Sequence, residues 1–166
     1  LVVRTYSKSR AMAGMRIGYA IGNEKLIAAM KAVKFSYNSY TMNMTSIDAG
    51  VAAIRDDAYF QKIVSQILKT REQAKEKLSE LGFTFTDSKT NFLFAKHNSM
   101  RAEVIFEELK KRNIYVRYFN KPRIDNFLRI TIGTDDEMDK LYRVLKEIIA
   151  ADTKLETDTE LGADTE

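Results

Sequence analysis

The chain has 166 residues, 45% of them hydrophobic, with no tryptophan and no cysteine, an ordinary composition for a globular protein of one domain or slightly more. The lack of cysteine excludes a disulfide framework and a thiolate metal site, and the single histidine, His97, cannot build a histidine-based metal centre alone. The formal charge is +4, but Ala151–Glu166 carries one lysine against six acids, a net −5 that leaves +9 on residues 1–150. The basic residues are scattered among acids rather than clustered, which favours a solvated surface with a site for small anions over a nucleic-acid-binding face. No apolar run approaches the roughly 18 residues of a spanning helix, so no membrane segment is expected and the cytoplasm is the default location.

In chain order, the β-branched pair Val2–Val3 feeds a polar elbow, Arg4-Thr5-Tyr6-Ser7-Lys8. Arg16 stands eight positions after Lys8, followed by a second strand-like run, Ile17–Ile21, with glycines at Gly14, Gly18 and Gly22. A lysine set among Arg4, Arg10 and Arg16 has its ammonium form disfavoured by like charge, and burial would act in the same direction. That is how an amine becomes a nucleophile. Ser7 and Arg16 offer what a phosphate needs, a hydroxyl donor and a planar guanidinium fork. One reading unites the three: a pyridoxal-phosphate site, with Lys8 as the Schiff-base lysine and Ser7 and Arg16 on the cofactor phosphate. For an arbitrary Ser-Lys pair the plainer account is a solvated lysine in a turn and a surface arginine.

Asn23 is positioned to cap a helix from Glu24 to Phe35 whose apolar face is Leu26, Ile27, Met30 and Val33. The aromatic and polar stretch Phe35–Thr41 breaks this periodicity. Met42–Ile54 reads as a second helix with small residues for close packing. Asp56–Asp57 caps a longer helix, Ala58–Leu81, that Gly82 stops. The charged face of that helix, including Arg71, Glu72 and Lys75, reads as solvated. Strands follow at Phe83–Thr86 and Asn91–Ala95, then a helix at Arg101–Arg112 and a strand at Ile114–Phe119. A loop, Asn120–Asn126, holds the only proline, Pro122. A strand at Leu128–Ile132 and a helix at Asp135–Ala150 complete the pattern. This order indicates an α/β fold: a small, mostly antiparallel sheet with packed helices. The acidic segment 151–166 has too little apolar content to fold alone and reads as a disordered tail. His97 reads as a turn residue and Arg123 as a loop charge. Arg129 sits mid-strand, where a charge needs a partner; an inward arginine satisfied by a structural carboxylate is the plainer account.

Two separated stretches carry a resemblance. Arg4–Lys8 through Ala13-Gly14-Met15-Arg16-Ile17-Gly18-Tyr19 resembles the lysine motif of fold-type I aminotransferases, and more narrowly of the class II histidinol-phosphate aminotransferase family. Val116–Ile124 and Phe127–Thr134 resemble a later part of the same family, in the same order. The resemblance covers Leu1 to about Ala150. It implies that residues 1–40 are the end of a large pyridoxal-phosphate-binding domain, 41–150 a small C-terminal domain, and 151–166 an added tail. It also implies pyridoxal 5'-phosphate as cofactor, held by Ser7, Lys8 and Arg16. Arg129 would grip an α-carboxylate and Arg117 a substrate phosphate. The implied reaction is transamination of L-histidinol phosphate with 2-oxoglutarate, in histidine biosynthesis, by a cytoplasmic homodimer.

Tyr37 and Asn38 lie where the family's chain leads into the substrate cleft, although a linker that merely packs is the simpler role. Asn91 belongs to a recurring family stretch with no evident physical role. The family draws an acid, a stacking aromatic and phosphate donors from sequence upstream of the lysine. Since this chain starts inside an apparent strand, the expectation is the C-terminal part of a longer enzyme, inactive by itself. Two alternatives stand beside it. One is another fold-type I enzyme, such as an aromatic aminotransferase or a threonine-phosphate decarboxylase. The other is a non-catalytic α/β interaction or nucleic-acid-binding domain.

Overall fold

The computed structural model describes the backbone of residues 1–163 and the side chains of residues 1–152. The chain packs into two compact units, Leu1–Val64 and Ser65–Glu166.

In the first unit, strands β1 (Val2–Thr5) and β2 (Gly18–Ile21) pair antiparallel, with Val2 opposite Ile21 and Thr5 opposite Gly18. Between them lie a single helical turn, α1 (Tyr6–Ser9), and a 3₁₀ turn at Ala13–Met15. Tyr6 and Ile17 are the buried apolar side chains here. Helix α2 (Glu24–Tyr37) starts as expected at Asn23, whose side chain accepts from Lys25 N–H at 2.9 Å. Its anticipated apolar face is largely exposed in this chain: Leu26, Met30 and Val33 all face solvent, and only Ile27 is half-buried. Periodicity marks a face but not what covers it. Helix α3 (Met44–Arg55) is capped by Asn43 and packs closely on the lysine loop. A Cβ on Gly50 would stand 3.0 Å from Ile17 Cδ1. Asp56 accepts from Tyr59 N–H at 3.2 Å at the start of α4 (Asp57–Glu80).

The second unit holds β3 (Phe83–Phe85), β4 (Phe92–His97), α5 (Ala102–Lys111), β5 (Arg117–Tyr118), β6 (Leu128–Thr131) and α6 (Asp135–Ala163). The strands form one antiparallel sheet in the order β3-β4-β6-β5. Leu93, Ala95, Leu128 and Ile130 point to one face and join Ala74 and Leu78 of α4, Ile105 and Leu109 of α5, and Leu141, Leu145 and Ile148 of α6 in a single core. Alternation sends Phe92, Phe94, Lys96, Arg129 and Thr131 to the other face. The α/β class and the antiparallel sheet agree with the sequence reading. The strand expected over Ile114–Phe119 shortens to Arg117–Tyr118, because Asn113 takes a left-handed φ of 57° and the chain needs the following residues to turn into the sheet. At α6, Thr134 and Glu137 form a reciprocal capping box: Thr134 N–H donates to Glu137 Oε2 at 2.8 Å, and Glu137 N–H donates to Thr134 Oγ1 at 3.4 Å. Helix α6 runs to Ala163 rather than stopping at Ala150. Of the tail expected to be disordered over 151–166, residues 151–163 form the end of α6 and 164–166 lie outside the described residues.

Two polar residues depart from the sequence reading. His97 is no turn residue: it ends β4 and is buried. Its Nε2–H donates to the Leu81 carbonyl at 2.9 Å and its Nδ1 accepts from Met100 N–H at 3.0 Å. It therefore staples the end of α4 to the turn before α5. Gly82, at φ +80°, lies under the ring, where a Cβ would come within 3.0 Å of Nε2. Arg71, expected on a solvated face, is buried. Its Nη1 donates to the Thr90 carbonyl at 3.2 Å and its Nη2 pairs with Glu72 at 3.0 Å. Glu72 also meets Lys75, which reaches Asp87 at 2.6 Å.

His97→Ala leaves the Leu81 carbonyl and the Met100 amide without their partner. It should lower stability by roughly 2 kcal/mol or more in urea unfolding. A second expectation concerns acid. Lys75, then Lys89, hold the Asp87 carboxyl down at about 2, against an unfolded value of 3.8. A depressed folded pKa means the contribution is complete above pH 3.8 and fades as pH falls toward 2. Asp87→Asn should flatten that part of the acid-unfolding curve and leave stability near neutral pH with little pH dependence of its own, as followed by circular dichroism.

Candidate active site

The lysine loop is closed by backbone geometry. Tyr6 N–H donates to the Ile17 carbonyl at 3.0 Å, just beyond the Thr5–Gly18 strand pair. Ser7 follows Tyr6 and Arg16 precedes Ile17, so this one bond brings the backbones of the two phosphate-binding candidates to the same end of the loop. Thr5 caps α1: its Oγ1 accepts from Ser7 N–H at 3.1 Å and its own hydroxyl donates to Ser7 Oγ at 2.9 Å. Ser7 Oγ thus accepts, while its own proton remains available. Arg16 adopts a left-handed φ of 55° and spends one donor, Nη1, on the Ala13 carbonyl at 2.9 Å. Its other guanidinium N–H groups make no hydrogen bond among the described residues. Lys8 is exposed rather than buried, and its ammonium has no hydrogen-bond or carboxylate partner among the described residues. It lines an open pocket of about 690 Å³ together with Arg4, Arg10, Tyr19 and Phe60, whereas Ser7 and Arg16 stand outside that pocket.

The donor set suits a phosphorylated aldehyde: one free amine, one free hydroxyl proton and a guanidinium with donors to spare, on one closed loop. Among the described residues no cluster of acids and histidine could hold a metal ion. No described helix is long and apolar enough to cross a membrane.

In the second unit, Arg117 on β5 lies directly opposite Arg129 on β6. Both belong to the sheet face that the helices do not cover. Arg129 is half-buried and Arg117 exposed, and neither has a carboxylate within salt-bridge distance among the described residues. The inward arginine paired with a structural acid is therefore not what forms. Aromatic rings flank the cations instead. Arg117 Cζ stands 5.2 Å from the Phe119 centroid, and Arg129 Cζ stands 5.5 Å from Phe92 and 5.9 Å from Phe119. Phe94 stacks on Phe127 at 4.7 Å beside them. Two cations lie over aromatic walls with no acid paired to them among the described residues, an arrangement with the chemistry to receive an anion.

The weaker candidates fare differently. Tyr37 is 92% exposed at the end of α2, and Asn38 serves as that helix's C-cap. Arg123 takes a left-handed φ of 76° in an exposed turn, in keeping with a loop charge. The Asn91 carbonyl accepts from Ile132 N–H at 2.9 Å, a backbone role its side chain does not enter. The sequence reading missed the aromatic wall, although the spacing of Phe92 and Phe94 on one strand face could have revealed it. It also counted Arg10 only as a like charge, missing its contacts.

The family described as aminotransferase class I and II matches residues 1–145. The histidinol-phosphate aminotransferase of Brachyspira hyodysenteriae is 52% identical over 149 residues, covering 90% of this chain and 42% of that protein. That of Clostridium beijerinckii is 47% identical over 154 residues, covering 93% of this chain and 43% of that protein. This chain thus spans less than half the length of the curated relatives it matches. Among solved structures, the histidinol-phosphate aminotransferase of Clostridium acetobutylicum superposes with a TM-score of 0.80 at 27% identity, over 90% of this chain and 45% of that one. The Sinorhizobium meliloti enzyme, solved in complex with pyridoxal-5'-phosphate, gives 0.77 at 26% identity, over 90% of this chain and 40% of that one.

If the two arginines serve a ligand rather than the fold, removing one should not harm stability. Like charges directly opposite across strands cost about 0.2–1 kcal/mol. Arg129→Met should therefore leave the melting temperature unchanged or slightly raised, and should weaken binding of sulfate or phosphate ions measured by calorimetry. A loss of several degrees would instead mean a structural role.

Proposed function

Because this chain belongs to the aminotransferase class I and II family, we propose that it forms part of a pyridoxal-phosphate-dependent aminotransferase acting on L-histidinol phosphate with 2-oxoglutarate. The observation that carries the reading is Lys8, without a partner among the described residues, on a closed loop that also holds Ser7 and Arg16 with donors uncommitted among those residues. The identity to histidinol-phosphate aminotransferases over nine-tenths of the chain supports the choice of substrate.

Lys8 would hold the cofactor through Nζ. Once displaced by the amino substrate, the same amine would take the proton from the substrate α-carbon and deliver it to the cofactor carbon. When bound, the cofactor supplies an electron sink for the charge left at that carbon. Ser7 O–H and the free N–H groups of Arg16 hold the cofactor phosphate, a geometry that charge-assisted bonds favour. In the second unit Arg129 holds the α-carboxylate of the dicarboxylate co-substrate, and Arg117 holds the phosphate of histidinol phosphate. The rings of Phe92 and Phe119 keep both guanidinium groups oriented. The reading includes a cytoplasmic homodimer, as the resemblance implies, with the family's remaining cofactor contacts supplied by residues outside this chain. By itself the chain is then expected not to turn over. In the family's domain layout, residues 1–40 close the large domain, 41–150 form the small one, and 151–166 are an appended tail.

Reduction with borohydride after pyridoxal phosphate is added to the full-length protein should trap the cofactor on Lys8 in peptide mapping, and Lys8→Ala should lower turnover by several orders of magnitude. Arg117→Ala should raise KM for the phosphorylated substrate roughly a hundredfold, matching the loss of a charged contact worth about 1.5–3 kcal/mol. An equal loss with unphosphorylated aromatic amino acids would point to the aromatic aminotransferases instead.

A further inference from the structure

We propose that Arg10 is the positioning residue of the lysine turn, fixing α1 to the junction of α3 and α4; the inference rests on the Lys8 assignment above. Arg10 is the first residue after α1, and its own N–H donates to the Tyr6 carbonyl at 3.2 Å. Its side chain leaves the turn and finds three partners within the first unit. Nη1 donates to the Ala53 carbonyl, near the end of α3, at 2.8 Å. The guanidinium lies 3.8 Å above the Phe60 ring of α4. Nη2 stands 3.7 Å from Asp57, in the first turn of the same helix. The side chain is only 16% exposed, so it is no free surface arginine.

The requirement is specific to arginine. A planar guanidinium stacks on a ring with its face while its edge donates to a carbonyl, and the last carbonyls of a helix carry partial negative charge. A lysine can satisfy the carbonyl or the ring, but not both in this geometry. Asp57 is 64% exposed, so that pair adds little. The carbonyl and the ring are the contacts that matter.

What the tether holds is a strained knot. Ala11, directly after Arg10, adopts a φ of 54°, a left-handed conformation that a residue with a Cβ avoids. Ala11 N–H donates to the Lys8 carbonyl at 3.1 Å and Met12 N–H to the Tyr6 carbonyl at 3.1 Å. Such a backbone persists only where its surroundings over-determine it. Arg10 supplies the constraint on one side. On the other, Ser46 of α3 donates to the Met15 carbonyl at 3.0 Å, just before Arg16. Helix α3 thus grips the loop next to the lysine turn and next to the phosphate-binding arginine. A catalytic amine misplaced by about 1 Å costs roughly a hundredfold in rate.

The test compares full-length wild type with Arg10→Met and Arg10→Lys. In the cofactor-free protein, Arg10→Met should speed amide hydrogen exchange at Ala11 and Met12 by roughly tenfold or more, with amides of α5 and α6 unchanged. In the loaded protein it should shift the pH midpoint of the visible cofactor band by about half a unit or more and lower kcat more than it raises KM. Arg10→Lys should fall between the two. Faster exchange throughout the protein, or no change at Ala11 and Met12, overturns the proposal. Borohydride trapping separates the two readings. Cofactor trapped on another lysine sinks the Lys8 assignment and Arg10's purpose with it. Cofactor trapped on Lys8 with an unmoved pH midpoint sinks the role of Arg10 alone.

Discussion

The hydrogen bond from Tyr6 N–H to the Ile17 carbonyl extends the β1–β2 pairing by one step and turns the intervening residues into a closed loop. The strand pairing already sets Thr5 opposite Gly18, and this bond carries the convergence one step further toward Ser7 and Arg16, nine residues apart in sequence. With it, both neighbour the closing bond and the helical turn bearing Lys8 rises from the loop's first residues. The buried rings and branched carbons of Tyr6 and Ile17 back this bond with apolar contact, and Gly50 lets α3 approach closely enough to seal it. Packing therefore keeps α3 with the residues before it, and the compact unit extends to Val64. The division expected at residue 40 from the resemblance lies earlier in the chain than this one.

In the second unit the organising device is alternation along β4 and β6. Each strand sends aliphatic side chains to the helices and rings or cations to the opposite face. His97 protects this arrangement at one end by joining the α4 terminus to the turn before α5 through both ring nitrogens. The loop between the two arginines is pinned as well: Asn126 Oδ1 accepts from Ala102 N–H at 3.0 Å, capping α5 from a distance of 24 residues. The site-bearing strands are thus held by polar contacts made far from the arginines themselves.

Much of this was legible in the sequence where the signal is local. Asn23 and Asp56 cap helices and Gly82 ends one, because each acts within a turn of its own position. The strands of the sheet followed from alternation, and the lysine loop from the clustering of Ser7, Lys8 and Arg16. What escaped depends on tertiary partners. His97 and Arg71 are polar residues in polar surroundings by sequence, yet each is buried because a carbonyl from elsewhere, Leu81 or Thr90, waits for it. The apolar stripe of α2 was visible, but its exposure could not be read from periodicity. Lys8 is exposed in this chain; burial, unlike spacing, depends on the surrounding structure.

The opposed arginines set the chemistry of whatever binds there. Like charges on facing side chains repel only weakly in water, so a hydrated face tolerates them. Excluding water strengthens that repulsion severalfold as the effective dielectric falls, and the face then needs anionic charge to offset it. A neutral or cationic ligand would face the full repulsion while covering the guanidinium groups. A ligand carrying a carboxylate, a phosphate or both converts the same desolvation into attraction. The aromatic walls sharpen this preference, since Phe92 and Phe119 line the cations without offering them a competing carboxylate. Under the proposed reading, selectivity for anions rests on the pairing register of β5 and β6. A one-residue slip would send one arginine into the apolar core and dissolve the site and the fold together.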